Sequence, residues 1–241
     1  MMYICLSGFP QTESRRLIQR INPMRKLLLT TAAVAAAIAV AGCSKKLPQE
    51  PVSITYDTLT DERDGQTYRT VKIGEQTWMA QNLNYQTDSS WCYENSIDSC
   101  SKYGRLYNWM TSKAVCPKGW MLPSREDWKN LVTTAGGWET AGKRLKSKSG
   151  WNDYCGDDDE PQPCVSGNGT NDFGFSALSG GDRGSDGDFY GAGYGGNWWT
   201  ATEYSSDYAY YRLMDYGYDN AVEDKYYKSD GYSVRCVAAP P

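Results

Sequence analysis

The chain has 241 residues, among them 25 Lys and Arg, 29 Asp and Glu, and no histidine, which gives a net charge of −4. Without histidine, the sequence offers no Ser-His-Asp triad, no Cys-His pair and no histidine base or metal ligand. Loss of residues 1–42 as an export signal would remove five basic residues and one acidic residue, leaving 20 against 28 and a net charge of −8. So acidic a chain lacks the basic surface that nucleic acids require.

The N-terminal region has the order of charges and apolar residues that is typical of an export signal. The basic pair Arg25-Lys26 precedes the uncharged apolar run Leu27–Ala41. This run is shorter than the roughly 20 residues of a membrane-spanning helix. We therefore predict a signal peptide over 24–42. Residues 1–23 lie upstream of the basic pair, and we interpret them as a mis-called start sequence.

The predicted signal ends in Val40-Ala41-Gly42-Cys43, which resembles the lipobox of bacterial lipoproteins. In a lipobox the cysteine, here Cys43, becomes an acylated N-terminus, and acyl chains at about 0.8 kcal/mol per CH₂ anchor a protein stably. An ordinary signal with an incidental cysteine is the alternative. We predict a lipidated tether over 43–58 and a lipid-anchored protein of the cell envelope. Ser44 after the cysteine favours the outer membrane, with the domain facing outside or the periplasm.

Six cysteines follow the predicted lipid site, and an even number in an exported chain indicates disulfide bonds. They are Cys92, Cys100, Cys116, Cys155, Cys164 and Cys236. Several pairings are formally open. Cys92–Cys100 and Cys155–Cys164 each close a short polar loop and are predicted to be local bridges, which leaves Cys116–Cys236. Zinc is a poor alternative, because the sequence has neither a Cys-x₂-Cys pair nor a histidine.

The first half of the mature chain predicts short strands followed by two helices. Thr67–Ile73 and Gln76–Met79 have a β-rich composition on either side of a turn. Apolar residues at helical spacing predict a first helix within Gly104–Val115. A second helix is predicted to start after Ser124, because Asp127 completes a capping-box pattern, and a glycine pair ends it.

Residues 138–170 are polar and predict loops. They contain a basic patch at 143–148 and, inside the Cys155–Cys164 loop, four adjacent carboxylates at 157–160. Such carboxylates could bind Ca²⁺ through their oxygens, although a run of this kind is usually a solvated loop tip. We therefore predict no metal and no cofactor, with Ca²⁺ left as the open alternative.

From residue 173 onward, short aromatic strands separated by turn residues predict an antiparallel sheet and, with the two helices, an α+β fold. The predicted strands are Phe173–Leu178, Asn197–Thr202, Ala209–Met214, Ala221–Asp224 and Tyr232–Val237. Because side chains alternate along a strand, we expect one of Trp198 and Trp199 in the core and the other outside it. The same expectation holds for Tyr210 and Tyr211.

Six sequence blocks, in order, resemble the Fibrobacter succinogenes major paralogous domain. They are Asp64–Tyr68 with Ile73–Tyr85, Tyr103–Trp109, Cys116–Ser124, Gly174–Leu178, Gly196–Glu203 and Ser233–Val237. The resemblance covers about 59–237 and implies one such domain over 59–239. Members of the family commonly carry lipoprotein signals, which agrees with the prediction for Cys43. The resemblance implies no established activity.

More remotely, the helix start after Gly119-Trp120 and the closing Arg235-Cys236 segment resemble the C-type-lectin-like superfamily, which includes the sulfatase-modifying enzymes that generate formylglycine. This resemblance implies a compact, loop-rich domain stapled by disulfides, with two short helices packed on small antiparallel sheets. The reactive cysteine pair of those enzymes has no counterpart, because all six cysteines are assigned to disulfides, so no catalytic residue is carried over. Met121 stands where the family often has histidine, which argues against a shared histidine function.

The candidate ligand site lies in the glycine- and aromatic-rich segment 182–232, since exposed rings stack on sugar faces while carboxylates bind hydroxyl groups. The candidate residues are Asp182, Asp186, Asp188, Tyr190, Tyr194, Trp198, Trp199, Glu203 and Tyr211. The same tyrosines are also favoured in strands for packing alone.

We predict a cell-surface lipoprotein that binds polysaccharide or another surface ligand, attaches to the membrane through its lipid and does not bind nucleic acid. One alternative is a structural or adhesive envelope protein with a protein partner. A further and less favoured alternative is a histidine-independent enzyme acting on glycosides through a carboxylate pair such as Asp182 with Asp188. We expect no enzymatic activity, because no catalytic motif is present.

Overall fold

The computed structural model describes residues 53–156 and 163–240, which all fall within one compact unit, Glu50–Pro241. The predicted start sequence, signal peptide, lipid site at Cys43 and acidic run 157–160 lie outside the described residues. Within them, no helix is long and apolar enough to cross a membrane. The first strand already begins at Tyr56, before the predicted domain start at Leu59.

The described chain forms the α+β fold that the sequence predicts. The helices are α1 (Ile97–Tyr103), α2 (Trp109–Ser112), α3 (Arg125–Thr134) and α4 (Trp138–Leu145). The strands of the first half are β1 (Tyr56–Thr60), β2 (Thr67–Ile73), β3 (Gln76–Met79), β4 (Ser90–Trp91), β5 (Leu106–Tyr107) and β6 (Trp120–Met121). Those of the second half are β7 (Asp153–Tyr154), β8 (Val165–Ser166), β9 (Gly180–Arg183), β10 (Phe189–Ala192), β11 (Gly195–Glu203), β12 (Tyr208–Asp215), β13 (Val222–Tyr227), β14 (Tyr232–Ser233) and β15 (Val237–Ala238).

Two sheets carry most of the structure. The first has the order β1-β2-β3-β15-β6 and is antiparallel. The second has the order β10-β9-β11-β14-β5-β4, and β12 and β13 extend it from β11. β11 pairs antiparallel with β12 but parallel with β9 and β14. β7 and β8 form a separate two-stranded ribbon.

The three predicted disulfides are confirmed. Cys92–Cys100 and Cys155–Cys164 close local loops, with Cα–Cα distances of 4.8 and 3.9 Å. Cys116–Cys236 joins residues 120 positions apart, with a Cα–Cα distance of 5.9 Å. It connects the loop before β6 to the residue before β15, and these two strands pair with each other. Closure of so long a loop removes the most conformational entropy from the unfolded chain.

The helix after Ser124 is confirmed with its capping box. The Ser124 hydroxyl accepts a hydrogen bond from the Asp127 backbone N–H at 3.1 Å, and the Asp127 carboxylate accepts one from the Ser124 N–H at 2.8 Å. Trp128 and Leu131 on this helix are fully buried. The cap satisfies N–H groups that the first turn would otherwise leave unpaired.

The short helix expected within Gly104–Val115 is present, but it covers only part of that range. Leu106 and Tyr107 form β5, which pairs with β4 and β14, and only Trp109–Ser112 are helical. Asn108 caps this single turn by accepting a hydrogen bond from the Thr111 N–H at 2.9 Å. The apolar spacing was real, but residues 106 and 107 are buried through sheet pairing, whereas Met110 is 64% exposed.

The expectation of loops after residue 138 is also wrong at its start, because α4 begins directly after Gly137. Lys146 at its end does not belong to a solvated basic patch. It is buried, and its Nζ donates to the carbonyl oxygens of Asp215 and Tyr218 at 2.8 and 2.9 Å. Burial lowers the pKa of Lys146 to about 8.

Two predicted strands are interrupted in the structure. Phe173–Leu178 is irregular, because Gly174 and Ser176 have φ values of +72° and +55°. Tyr232–Val237 is split into β14 and β15, and Arg235 between them is fully buried. The Arg235 guanidinium donates to the Asn82 side-chain oxygen at 2.7 and 3.1 Å and to the Phe175 carbonyl.

The expected division between Trp198 and Trp199 is wrong, because both rings are fully buried. Their side chains do point to opposite faces of β11: Trp198 belongs to one hydrophobic cluster with α3 and α4, and Trp199 to another with β5 and β12. β11 is a central strand with both faces covered, so alternation separates two cores instead of core and solvent. On the neighbouring strand Tyr211 is buried and Tyr210 is half-buried.

Candidate ligand-binding site

A cavity of about 440 Å³ lies where the β9–β10 hairpin meets β12, β13 and the segment that leads into β14. Its lining combines three carboxylates with several tyrosine rings. We call it the acidic tyrosine cavity and define it by Asp182, Asp186, Tyr190, Tyr211, Asp230 and Tyr232. Cavities of this size are typical of small-molecule sites.

Backbone pairing between distant segments builds this cavity. The Arg183 N–H donates to the Gly231 carbonyl at 2.9 Å, and the Gly231 N–H donates back to the Arg183 carbonyl at 2.7 Å. This antiparallel bridge brings Asp230 and Asp182, 48 positions apart in the chain, into the lining of one cavity, where the charge of Asp230 contributes to raising the pKa of Asp182. The bridge, rather than any local motif, creates the carboxylate pair.

The turn of the β9–β10 hairpin fixes the third carboxylate. Asp186 accepts hydrogen bonds from the Asp188 backbone N–H at 3.1 Å and from the Tyr190 hydroxyl at 2.7 Å. A Cβ on Gly184 would lie 2.5 Å from the Asp186 Oδ1, so a larger residue there would displace this carboxylate. The two hydrogen bonds lower the pKa of Asp186, with the Tyr190 hydroxyl as the largest cause.

The charged forms of Asp182 and Asp230 are stabilised less than that of Asp186. Asp182 accepts one hydrogen bond, from the Asn197 side-chain amide at 3.1 Å. Burial raises its pKa to about 6, and the charges of Asp230 and Asp186 add to the shift. Asp230 is 3% exposed, and its Oδ1 is buried without a hydrogen-bond partner among the described residues. Burial raises the pKa of Asp230 to about 6 as well.

Tyrosine rings form the walls. Tyr211 and Tyr232 lie deep, with ring centroids 4.9 Å apart. Behind them, the indole of Trp199 stacks on Tyr232 at 4.3 Å and donates its Nε1–H to the Tyr107 carbonyl at 2.8 Å. Tyr190 is 48% exposed at the opening. The site therefore combines a rigid aromatic interior with a solvent-accessible aromatic rim.

Four of the nine candidate residues meet in this cavity: Asp182, Asp186, Tyr190 and Tyr211. Asp188 is exposed beside it and contributes its backbone to the hairpin turn. Trp198 and Trp199 are buried, so their rings are not available for surface stacking. Trp199 supports the cavity from behind, whereas Trp198 packs in the core and donates to Asn82 at 2.9 Å.

The two remaining candidates lie elsewhere on the described surface. Tyr194 packs edge-on against Tyr216, with centroids 5.1 Å apart. Glu203 pairs with Lys228, and this pairing lowers the pKa of Glu203. Neither residue lines the acidic tyrosine cavity.

Two polar residues of the cavity, Asp230 and Asn197, were not predicted from the sequence. Ser229-Asp230-Gly231 has the composition of an ordinary surface turn, and Asn197 lies within a predicted strand. No local signal marks either residue, because Asp230 reaches the cavity through the bridge between Arg183 and Gly231, and Asn197 through the parallel pairing of β11 with β9. Tyr226 and Tyr232, which also line the cavity, stood among the aromatic residues of the segment but not among the candidates.

A larger cleft of about 650 Å³ lies between α3 and β13, with Trp138 at its edge. Both of its carboxylates are paired: Glu223 with Arg125 at 2.6 Å and Arg212 at 3.0 Å, and Glu126 with Lys129 at 3.2 Å. Because its carboxylates already form ion pairs within the protein, this cleft leaves fewer charged groups free to bind a ligand than the acidic tyrosine cavity does.

The described residues contain no group of three or more Asp, Glu or Cys side chains arranged to hold a metal ion. The three cavity carboxylates are not arranged as such a group. The acidic run 157–160, for which Ca²⁺ was the open alternative, lies outside the described part of the chain.

The fold and cavity define a disulfide-bonded α+β domain with an acidic, aromatic site. The family model for the Fibrobacter succinogenes major domain matches residues 71–238, and the chain belongs to this family. The resemblance seen in the six sequence blocks is thereby confirmed. Comparison with curated proteins gave no match, and comparison with solved structures gave none. The likeness to C-type lectins stays a prediction.

Proposed function

We propose that the protein is a lipid-anchored binding module of the cell envelope, and that the acidic tyrosine cavity takes part of a polysaccharide. The observation that carries the proposal is the juxtaposition of Asp182 and Asp230 with exposed and buried tyrosine rings around one cavity. Tyrosine faces stack on the apolar faces of sugar rings, and carboxylates accept hydrogen bonds from sugar hydroxyl groups.

Some hydrogen-bond acceptors in the cavity lack donors, which supports a ligand rich in hydrogen-bond donors. Asp182 accepts a single hydrogen bond and the Asp230 Oδ1 accepts none from the described residues. A hydrogen bond to a charged acceptor is worth about 1.5–3 kcal/mol, and an unsatisfied buried acceptor carries a comparable penalty. A polyhydroxylated ligand supplies the missing donors.

The anchor and the acidic surface fit this role. A protein held by Cys43 on a tether would present the cavity away from the membrane, where insoluble or surface-bound polymers are accessible. We do not propose catalysis. Asp188, the partner of Asp182 in the carboxylate pair considered for a glycoside-acting enzyme, is exposed beside the cavity, and no catalytic motif accompanies Asp182.

Retention on insoluble cellulose, xylan and mannan tests the proposal. The full-length protein, purified in detergent, should remain on at least one polymer. Asp182→Asn should weaken retention by about tenfold or more, as expected for loss of a charged acceptor. Asp153→Asn, a matched change of an exposed residue on β7, should leave retention unchanged.

Two outcomes would contradict the proposal. No retention of the wild type on any polymer would exclude these polysaccharides as ligands and favour a protein partner. Release of reducing sugar in the same tubes, abolished by Asp182→Asn, would show a glycoside-acting enzyme instead of a binding module.

A further inference from the structure

We propose that the acidic tyrosine cavity selects glycans that carry free amino groups, binding an ammonium group between its carboxylates and its tyrosine rings. This inference rests on the proposed function, because it names the chemical class of ligand for the same cavity.

The charge of the lining is the first argument. Three carboxylates, those of Asp182, Asp186 and Asp230, line the cavity, and no Lys or Arg does. Among the described residues, none of the three forms an ion pair within 4.0 Å. Arg183, adjacent to Asp182 in sequence, lies over the Trp91 ring at 4.3 Å and donates to the Gly184 carbonyl, so its charge acts on Asp186 and Asp230 without an ion pair.

The buried carboxylate of Asp230 is the second and independent argument. It is 3% exposed, it lines the cavity, and its Oδ1 has no partner among the described residues. An uncompensated buried charge is strongly unfavourable, and an opposite charge brought next to it removes most of that penalty. A neutral hydroxyl group supplies a hydrogen bond but leaves the net negative charge in place.

The aromatic walls are the third argument. The negative face of a tyrosine ring attracts a cation within about 6 Å of its centroid, and the attraction is stronger where water is excluded. Tyr211 and Tyr232 are largely buried, with centroids 4.9 Å apart, and Trp199 holds them from behind. An ammonium group in the cavity therefore meets carboxylates and ring faces together. N-acetylation would remove its charge and add bulk.

Three soluble β-1,4-linked hexasaccharides test the contribution of the ammonium group, because they differ only in the group at C2. They are cellohexaose with hydroxyl groups, the N-acetylglucosamine hexamer with neutral amides, and the glucosamine hexamer with amines. Calorimetric titration of the full-length protein in detergent at neutral pH should give an affinity for the glucosamine hexamer at least about tenfold above the other two. Added salt should reduce that affinity most.

Asp230→Asn should bring the three affinities to within about threefold of each other, since it removes the unpaired charge while keeping the size of the side chain. Circular dichroism would verify its fold, and Asp182→Asn provides a second variant with the same expected direction. Asp153→Asn, outside the cavity lining, should preserve the preference.

The outcomes separate this inference from the proposed function. Equal or tighter binding of a neutral hexamer would overturn the ammonium preference and leave polysaccharide binding intact. Spermidine, which carries ammonium groups without a sugar, serves as the fourth probe. Its binding in the absence of any hexamer binding would uphold ammonium recognition and refute the polysaccharide, and no binding of all four probes would overturn both.

Discussion

The ring of Tyr232 stacks on the indole of Trp199, with centroids 4.3 Å apart and ring planes 26° from parallel. Tyr232 lines the acidic tyrosine cavity, whereas Trp199 is fully buried on β11. The core and the candidate site therefore share aromatic contacts through Trp199, which also packs edge-on against Tyr211. Changes to Trp199 should act on stability and on ligand binding together.

Trp199→Phe should lower the free energy of unfolding by about 2–4 kcal/mol. The change removes the N–H that satisfies the Tyr107 carbonyl and leaves a cavity behind Tyr232. Denaturant unfolding followed by circular dichroism measures the loss. Trp138→Phe is the matched control: Trp138 is 58% exposed, so its change should stay within about 0.5 kcal/mol. Equal effects of the two variants would contradict this packing.

Arg235→Lys should destabilise the domain by about 3–5 kcal/mol, because an ammonium cannot replace the guanidinium at Asn82 and the Phe175 carbonyl together. Thermal unfolding in parallel with Arg69→Lys tests this. Arg69 is exposed over the Tyr56 ring, and its substitution should have little effect. A small effect at Arg235 would show that the buried network is dispensable.

The long disulfide should contribute more to stability than either short one. Replacing Cys116 and Cys236 together by alanine should reduce the free energy of unfolding by about 5 kcal/mol, against roughly 2.5 kcal/mol for Cys92 with Cys100. Urea unfolding of the two double variants gives the comparison. Similar losses would mean that native-state strain or residual structure, rather than loop length, sets the effect.

The stabilising contribution of Asp182 and Asp230 should fall as pH rises from about 4 to about 6. Burial raises the pKa of Asp182 and Asp230 to about 6 from 3.8, so folding favours their protonated forms. That contribution is complete below the unfolded pKa and is lost as pH rises through the folded pKa. Asp186, Arg183 and the cavity tyrosines also face these groups.

The double variant Asp182→Asn with Asp230→Asn tests this directly. Its midpoint of urea unfolding, measured relative to the wild type, should increase between about pH 4 and pH 6 and then level off. A constant difference across this range would show that neither carboxylate has the raised pKa.

Apart from the Cys116–Cys236 disulfide, which was the pair left after the two local bridges, the details that the sequence predicted correctly have local causes. The capping box of Ser124 with Asp127 and the loop closed by Cys92–Cys100 involve residues close in the chain. α4 was missed because Gly137, which ends the preceding turn, also begins the next helix: the Ala141 N–H donates to its carbonyl at 2.9 Å. A glycine pair predicts where a helix ends but carries no information about the next element.

Only part of the candidate site was predicted, because only part of it is formed by residues close together in the chain. Asp182, Asp186 and Tyr190 belong to one hairpin, so a single aromatic and acidic segment identified them. Asp230 joins them only through the bridge of Arg183 with Gly231, which sequence spacing does not reveal. Trp199 was misplaced because alternation shows which face a side chain takes, not whether that face is covered.

The most direct test of the central claim, that the acidic tyrosine cavity binds polysaccharide, is the retention of Tyr190→Ala on cellulose, xylan and mannan. Tyr190 lies half-exposed at the opening, and Tyr218→Ala removes a similarly exposed ring outside the cavity. The account predicts that Tyr190→Ala weakens retention by about tenfold, in line with loss of one stacking ring, while Tyr218→Ala matches the wild type. Undiminished retention of Tyr190→Ala, or equal losses in both variants, would contradict it.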